Sequence, residues 1–202
     1  MNDLNAKPSL NVDVAIVGGG PAGLMAAEVL SRAGLAVHLF DAMPSVGRKF
    51  LLAGKGGLNL THAEPLDDFV TRYGAAQDRV QPLLQHWGPQ AVRDWATGLG
   101  ISTFVGTSHR VFPTDMKAAP LLRAWLHRLR HPGEGGAPVV FHMRHRWQGW
   151  SNGNGGPLVF HAPSGQVQVQ ARATVLALGG PAGRAWVRMA PGCRGLKRPA
   201  CR

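Results

Sequence analysis

Cysteine is nearly missing from this sequence. There are two, Cys193 and Cys201, and both fall in the last ten residues. That excludes a disulfide framework for the body of the chain and fits a reducing, cytoplasmic setting. Long apolar runs are missing as well. No stretch approaches the ~20 residues that a membrane-spanning helix requires. Residues 1–11 are polar, with Lys7 and no following segment of signal-peptide length, so neither export nor a membrane partner is expected. There is no internal repeat: the 27 glycines cluster at apparent turns. Acidic residues stop at Glu134. Arg184, Arg188, Arg194, Lys197, Arg198 and Arg202 therefore supply six of the net +11 charges, leaving +5 for residues 1–183. A surplus of that size suits a protein with an anionic ligand and argues against nucleic acid as the main partner.

What remains is a soluble-type composition. At 202 residues, 45% hydrophobic and 16% charged, the chain can form one domain with a sizeable core. Val12, Val14, Ile16 and Val17 read as a short buried parallel strand. From Pro21 the period changes: Leu24, Ala27 and Leu30 share one helical face. Pro21 suits a first helical turn, Arg32 a last turn and Gly34 the C′ position. "LAVHLF", Leu35–Phe40, then reads as a second strand, ended by Asp41. The order is β-α-β over about thirty residues.

Gly18-x-Gly20-x-x-Gly23 sits at the strand-to-helix turn. In such a unit the first glycine allows the tight turn, and the second lets a pyrophosphate approach the backbone. The third lets the helix pack closely on the sheet. The helix start then favours negative charge. Asp41, at the end of the second strand, is placed to accept hydrogen bonds from ribose hydroxyls and to repel a 2′-phosphate. The next stretch, "PSVGRKFLLAGKGGLNLTH" (Pro44–His62), interleaves glycines with Arg48, Lys49 and Lys55. It reads as an anion-cradling loop. Asn59 and Thr61 are expected to hydrogen-bond a polar ring edge.

Further on, Leu66–Tyr73, Val80–Trp87, Gln90–Leu99 and Lys117–Leu129 carry helical periodicity, with Ile101–Val105 as a short strand. In the last helix Leu121, Leu122, Trp125, Leu126 and Leu129 are expected to face a core. "PVVFHMRHRWQGW" (Pro138–Trp150) starts as a strand. His142 and His145 are three apart, so a strand would turn them to opposite faces. No cysteine or acid lies near them, and no metal site is expected. "PLVFHAPSGQVQVQA" reads as a hairpin turning at Pro163-Ser164-Gly165, which leads into "TVLALGG" as an apolar central strand.

Together "VAIVGGGPAGLMAAEVLSRAG", "VHLFDA" and "GRKFLLAGKGGLNLTH" resemble the BaiN-like NAD(P)/FAD-dependent oxidoreductases, of the glutathione-reductase-like flavoprotein superfamily. "RVFPTDMKAAPLLRAWLHRL" (Arg110–Leu129) and "ATVLALGG" (Ala173–Gly180) extend the resemblance over roughly residues 11–180. It implies an α/β, Rossmann-like FAD/NAD(P)-binding domain with a central parallel sheet, flanking helices and a β-hairpin or meander crossover, incomplete relative to the family. It implies FAD as cofactor, with NAD(P)H as electron donor and an unknown small-molecule substrate. Gly18, Gly20, Pro21, Ala22 and Gly23 would surround the pyrophosphate, and Asp41 with Ala42 the adenosine ribose. Arg48, Lys49, Gly54, Asn59, Leu60 and Thr61 would lie along the cofactor. Arg146 and Trp147 would neighbour the adenine, and Gly179 and Gly180 would return beneath the FAD. The chain departs from the pattern at Leu58, where many relatives have cysteine, so thiol chemistry is excluded there. No catalytic residue is assigned. His62 is the nearest titratable group, and a solvent-facing role is expected for it.

The expected division is a disordered N-terminus over 1–11, an FAD-binding domain over 12–180 and a basic irregular tail over 181–202. The tail has no periodicity. A shifted reading frame or truncation accounts for it best, since compatible codons read one nucleotide over resemble the family continuation. A complete member would be about twice this length. Two alternatives stand beside the flavoenzyme reading: a non-enzymatic dinucleotide-binding module whose basic tail docks on nucleic acid, and an inactive product of a truncated gene.

Overall fold

The computed structural model describes residues 9–153 and 156–179. The chain divides into two compact units, residues 1–48 with 129–202, and residues 49–128. The expectations for residues 180–202, Gly180 included, lie outside the described residues.

The first unit is built on the strand-helix-strand start. Strand β1 (Ser9–Val17), helix α1 (Pro21–Arg32) and strand β2 (Val37–Asp41) follow the predicted order. β1 begins earlier than expected, because Ser9, Leu10 and Asn11 pair with Gln168, Val169 and Gln170. Residues 9–11 are therefore strand and not tail. Helix α1 ends as its sequence dictates: Arg32 lies in its last turn, and Gly34 takes φ +77° just beyond. Ser31 Oγ donates to Ala137 O at 2.5 Å, tying the helix end to the segment before the next strand.

Strands β6 (Val140–Met143), β7 (Arg146–Trp150), β8 (Leu158–Ala162) and β9 (Gly165–Leu176) complete a six-stranded sheet in the order β6-β2-β1-β9-β8-β7. β6, β2, β1 and β9 are mutually parallel, while β7, β8 and β9 form an antiparallel meander. This is a Rossmann-type arrangement with a central, mostly parallel sheet. On one side α1 buries Gly23, Leu24 and Ala27. On the other, Val17, Phe40, Trp147, Leu158, Phe160 and Val169 share a core. Phe160 of β8 stacks on Phe40 of β2 with ring centroids 4.5 Å apart, although two strands separate β2 from β8 in the sheet. The meander therefore folds back over the parallel strands.

One expectation changes here. The hairpin arm and the apolar "ATVL" run are a single strand, β9, and β8 pairs with it only as far as Val169. The later half pairs with β1 alone, so Ala173, Thr174 and Leu176 are exposed rather than central.

The second unit holds α2 (Arg48–Ala53, whose first residue belongs to the first unit), a 3-10 turn over Gly54–Gly56, β3 (Thr61–His62), α3 (Leu66–Thr71), α4 (Gln77–His86), α5 (Pro89–Gly98), β4 (Thr103–Val105), β5 (Arg110–Pro113) and most of α6 (Ala118–Arg130). β5 lies between β3 and β4, antiparallel to both. Trp125 is fully packed, with Trp95 edge-on at 4.8 Å and Phe50 at 6.3 Å. In α6 Leu121, Leu122, Trp125 and Leu129 are buried, and Leu126 is half-buried. No helix among the described residues is long and apolar enough to cross a membrane.

Candidate functional site

The glycine turn has the shape its sequence demands. Gly18 has φ +111°, a conformation L side chains rarely adopt, and a Cβ there would overlap the Ala177 carbonyl oxygen. A Cβ on Gly23 would overlap the Gly18 carbonyl oxygen, so α1 can only approach the turn without one. Gly20 is different. Among the described residues a Cβ there meets no atom within 4 Å. Gly20 is also the N-cap of α1, with no side-chain cap, no acid in the first turn and Pro21 at the helix start. Backbone N–H donors at such a start have no intrahelical acceptor. The turn thus combines open space with a positive helix end.

Asp41 stands next to this space at the end of β2. Its Oδ2 accepts from the Gly19 N–H at 2.6 Å, and its Oδ1 accepts from the Met43 N–H at 2.7 Å. A carboxylate offers about four acceptor sites, so one on each oxygen remains for ribose hydroxyls. Gly19 is the position sequence reasoning passed over. A Cβ on it would clash with the Val46 side chain and sit 2.9 Å from Asp41 Oδ2. The Gly47 N–H donates to Gly19 O at 2.8 Å, so residues 42–47 strap across the turn, with Val46 buried and Ala42 exposed. The available signal was the unbroken run Gly18-Gly19-Gly20, one glycine more than the motif requires.

The remaining predicted positions fall as follows. In the first unit Gly179 has φ +77° and follows two residues after Ala177, whose N–H donates to Val17 O at 2.8 Å. Arg48 is exposed. Arg146 is half-buried, while the Trp147 indole is 8% exposed within the core cluster. The Trp147 side chain therefore belongs to the core. Lys49, Gly54, Asn59, Leu60 and Thr61 belong to the second unit.

The stretch Pro44–His62, expected as an anion-cradling loop, is helical over residues 48–56. "RKFLLA" forms α2 and Gly54–Gly56 a 3-10 turn, which commits backbone donors to helical hydrogen bonds. The cause is local: Arg, Lys, Leu and Ala are good helix formers, and glycines flanking them masked that. Gly54 has a packing reason to be glycine, since a Cβ would lie 2.6 Å from the Ala118 Cβ. Leu58 is buried and its N–H donates to Met116 O at 3.0 Å. The Leu60 N–H donates to Val111 O at 2.9 Å, and Thr61 pairs with Val111. The "NLTH" and "RVFP" segments are thus neighbouring strands of one sheet.

His62 is not solvent-facing. Its side chain is 16% exposed and its Nδ1 lies 3.3 Å from Glu64 Oε1. Arg72 grips both oxygens of Glu64, through Nε and through Nη2 at 2.6 Å, and this hydrogen bonding holds the Glu64 carboxyl below its ordinary range. His62 and Glu64 line an open cleft of about 310 Å³ with His86, Gln90 and Arg93.

His142 and His145 were expected on opposite faces, and the structure brings them together. The strand ends at Met143, and Arg144 takes φ +59°, which turns the chain. Their rings meet edge-to-face at 5.4 Å. His38 joins them, its Nδ1 lying 2.9 Å from His142 Nε2. Burial, aided by the neighbouring His38 and His145 charges, pushes the His142 imidazole down to about 4. Burial also lowers His38. Among the described residues no group of three or more such side chains is arranged to hold a metal ion.

Comparison with known families agrees with this geometry. A family model described as the HI0933-like protein Rossmann domain matches residues 12–188. The chain belongs to the HI0933-like Rossmann-domain family. Among curated relatives, this family member is 59% identical over 39 residues to the thiamine thiazole synthase of Desulfosudis oleivorans, covering 19% of this chain and 15% of that one. It is 40% identical over 67 residues to the thiamine thiazole synthase of Methanosarcina acetivorans, covering 31% and 26%. The chain thus spans about a quarter or less of these relatives. Among solved structures, the open conformation of a flavocytochrome c3 fumarate reductase superposes with a TM-score of 0.64 at 19% identity, over 86% of this chain and 34% of that one. The 3-ketosteroid-Δ4-(5α)-dehydrogenase of Rhodococcus jostii gives 0.56 at 18% identity, over 86% and 47%. Thermovibrio ammonificans THI4 gives 0.51 at 20%, over 84% and 58%. At these identities the structures share the fold.

Proposed function

We propose that this chain is the FAD-binding portion of a flavin-dependent oxidoreductase, of the BaiN-like branch that its "GRKFLLAGKGGLNLTH" segment resembles. The observation that carries the reading is the open space over Gly20, bounded by the uncapped start of α1 and the Asp41 carboxylate. Those groups suit a diphosphate linked to a ribose with a free 2′-hydroxyl. Gly18, Gly20, Pro21, Ala22 and Gly23 would hold the pyrophosphate, Asp41 the ribose, and the backbone at Arg146 and Trp147 the adenine. Gly179 would follow the cofactor toward its flavin end. FAD, when bound, would supply hydride and electron transfer. NAD(P)H is the donor class that the resemblance implies, and a cytoplasmic setting fits the cysteine pattern.

The test is direct titration with FAD and with FMN, which lacks the adenosine end. FAD is expected to bind at least tenfold more tightly than FMN. Equal affinities, or no binding of FAD by folded protein, would contradict the assignment.

A further inference from the structure

Two imidazoles and two phenyl rings form a continuous stack in the first unit, and a third imidazole, His145, meets it edge-on. Phe160 stacks on Phe40 at 4.5 Å, and Phe40 on His142 at 4.4 Å. His142 then meets His38 through a nitrogen–nitrogen hydrogen bond of 2.9 Å and His145 edge-on at 5.4 Å. A hydrogen bond between two imidazole nitrogens needs one donor and one lone pair. It exists only while at least one of the two rings is neutral.

The stack sits under the strap that presents Asp41. The turn between β6 and β7 reaches this strap by two backbone bonds: the His145 N–H donates to Asp41 O at 2.9 Å, and the Arg144 N–H to Met43 O at 3.0 Å. His145 Nδ1 bonds Met143 O at 2.9 Å, which fixes the ring on the same turn. His142 is on β6, an edge strand whose sheet partner is β2 alone. The rings against His142 are His38 and uncharged Phe40 from β2 and His145 from the turn, and Phe160 of β8 stacks on Phe40 in turn. Asp41 turns its carboxylate to the Gly19 and Met43 amides, and Arg130 lies over Phe141, on the other face of β6. No acid faces the stack among these groups.

We propose that the His38–His142 pair forms a proton-sensitive latch on the Asp41 strap, with the His145 ring packed on it from the turn: neutral, the pair holds the β6–β7 turn against Asp41 and Met43; doubly protonated, it releases them and weakens the adenosine end of the dinucleotide site. One proton on the pair leaves a donor facing a lone pair; the second places two N–H groups against each other where one hydrogen bond stood. The low proton affinity of His142 when stacked is the same coupling read the other way. If the opened ring regains an ordinary value near 6.5, the opening constant rises about tenfold between pH 7.5 and pH 5.5. The link to ligand rests on the FAD reading; the latch itself does not.

The test is amide hydrogen exchange of the full chain without ligand, corrected for intrinsic rates, at pH 7.5 and 5.5. Protection at Arg144 and His145 is expected to fall about tenfold in the wild type and less than threefold in His142→Phe, which keeps the stacking and loses the titration. The His142 ring resonance, followed in the wild type alone, covers the case in which that variant does not fold. A midpoint below 5, with protection at the two amides already falling above that midpoint, supports the latch. An ordinary midpoint, or unchanged amide protection, overturns it. In parallel, FAD affinity should weaken severalfold more in the wild type than in His142→Phe. Equal weakening overturns the link to the ligand, while absence of FAD binding at both pH values refutes the flavin reading and leaves the exchange result to decide the latch.

Discussion

Among the described residues an added Cβ at Gly20 would touch nothing within 4 Å; at Gly54 it would lie 2.6 Å from the Ala118 Cβ. Both glycines sit in glycine-rich stretches that look like ligand cradles as sequence. One stretch keeps its space open beside a twelve-residue helix start and a carboxylate. The other uses Gly54 to let its own chain pack closely, and is short helix over residues 48–56. Openness alone does not distinguish them, since Gly56 is open too. Gly56, however, lies in an exposed 3-10 turn beside a helix of only six residues. A glycine-rich stretch becomes a candidate diphosphate site when open space, free backbone donors and a ribose acceptor coincide.

Substitutions can break this comparison. The largest effect is expected at Gly23→Ala. The new methyl would overlap the Gly18 carbonyl oxygen, and α1 would have to leave the sheet. Destabilisation of about 3 kcal/mol or more should follow, seen as loss of a cooperative thermal transition. Next is Asp41→Asn, which keeps one acceptor oxygen and loses the charge. FAD affinity should fall about tenfold, near 1.4 kcal/mol, as for one charge-assisted hydrogen bond.

The third effect is on pH dependence. The His142 value is lowered in the fold, so the unfolded chain binds more protons between the two values. Stability is then fully present above about 6.5 and is lost as pH falls toward about 4. With the ring half exposed, solvent screening holds the loss to about 2 kcal/mol. Urea melts at pH 7.5 and 4.5 should show that difference in the wild type and not in His142→Phe, after subtracting the common background. The smallest effect is at Gly56→Ala, where the methyl meets open space in a helical turn. A stability change within about 0.5 kcal/mol, leaning favourable, is expected by the same melts.

Much of the first unit was legible because its information is local. Strand, glycine turn, proline at the helix start, arginine and Gly34 at its end, and Asp41 all follow one another in sequence. The boundaries of α1 come from those residues alone. What was illegible depends on one backbone angle or on distant pairing. The His38–His142–His145 cluster exists because Arg144 adopts φ +59° and ends a strand that its sequence would continue. β9 reads as two strands because its apolar half pairs with β1 and its alternating half with β8 as well. In "GRKFLLAGKGG" six good helix formers were outweighed by the glycines around them. At the site, Gly18, Gly20, Gly23 and Asp41 were readable from spacing. Gly19 and the Val46–Gly47 strap were not, because their role appears only when residues 42–47 cross the turn.

The sharpest single measurement is calorimetric titration of FAD into the wild type and Gly20→Ala. Among the described residues no atom meets the added methyl, so the variant should melt with the wild type while its FAD affinity drops by about two orders of magnitude. A variant that remains folded and binds FAD as tightly as the wild type would show that the diphosphate does not lie over Gly20.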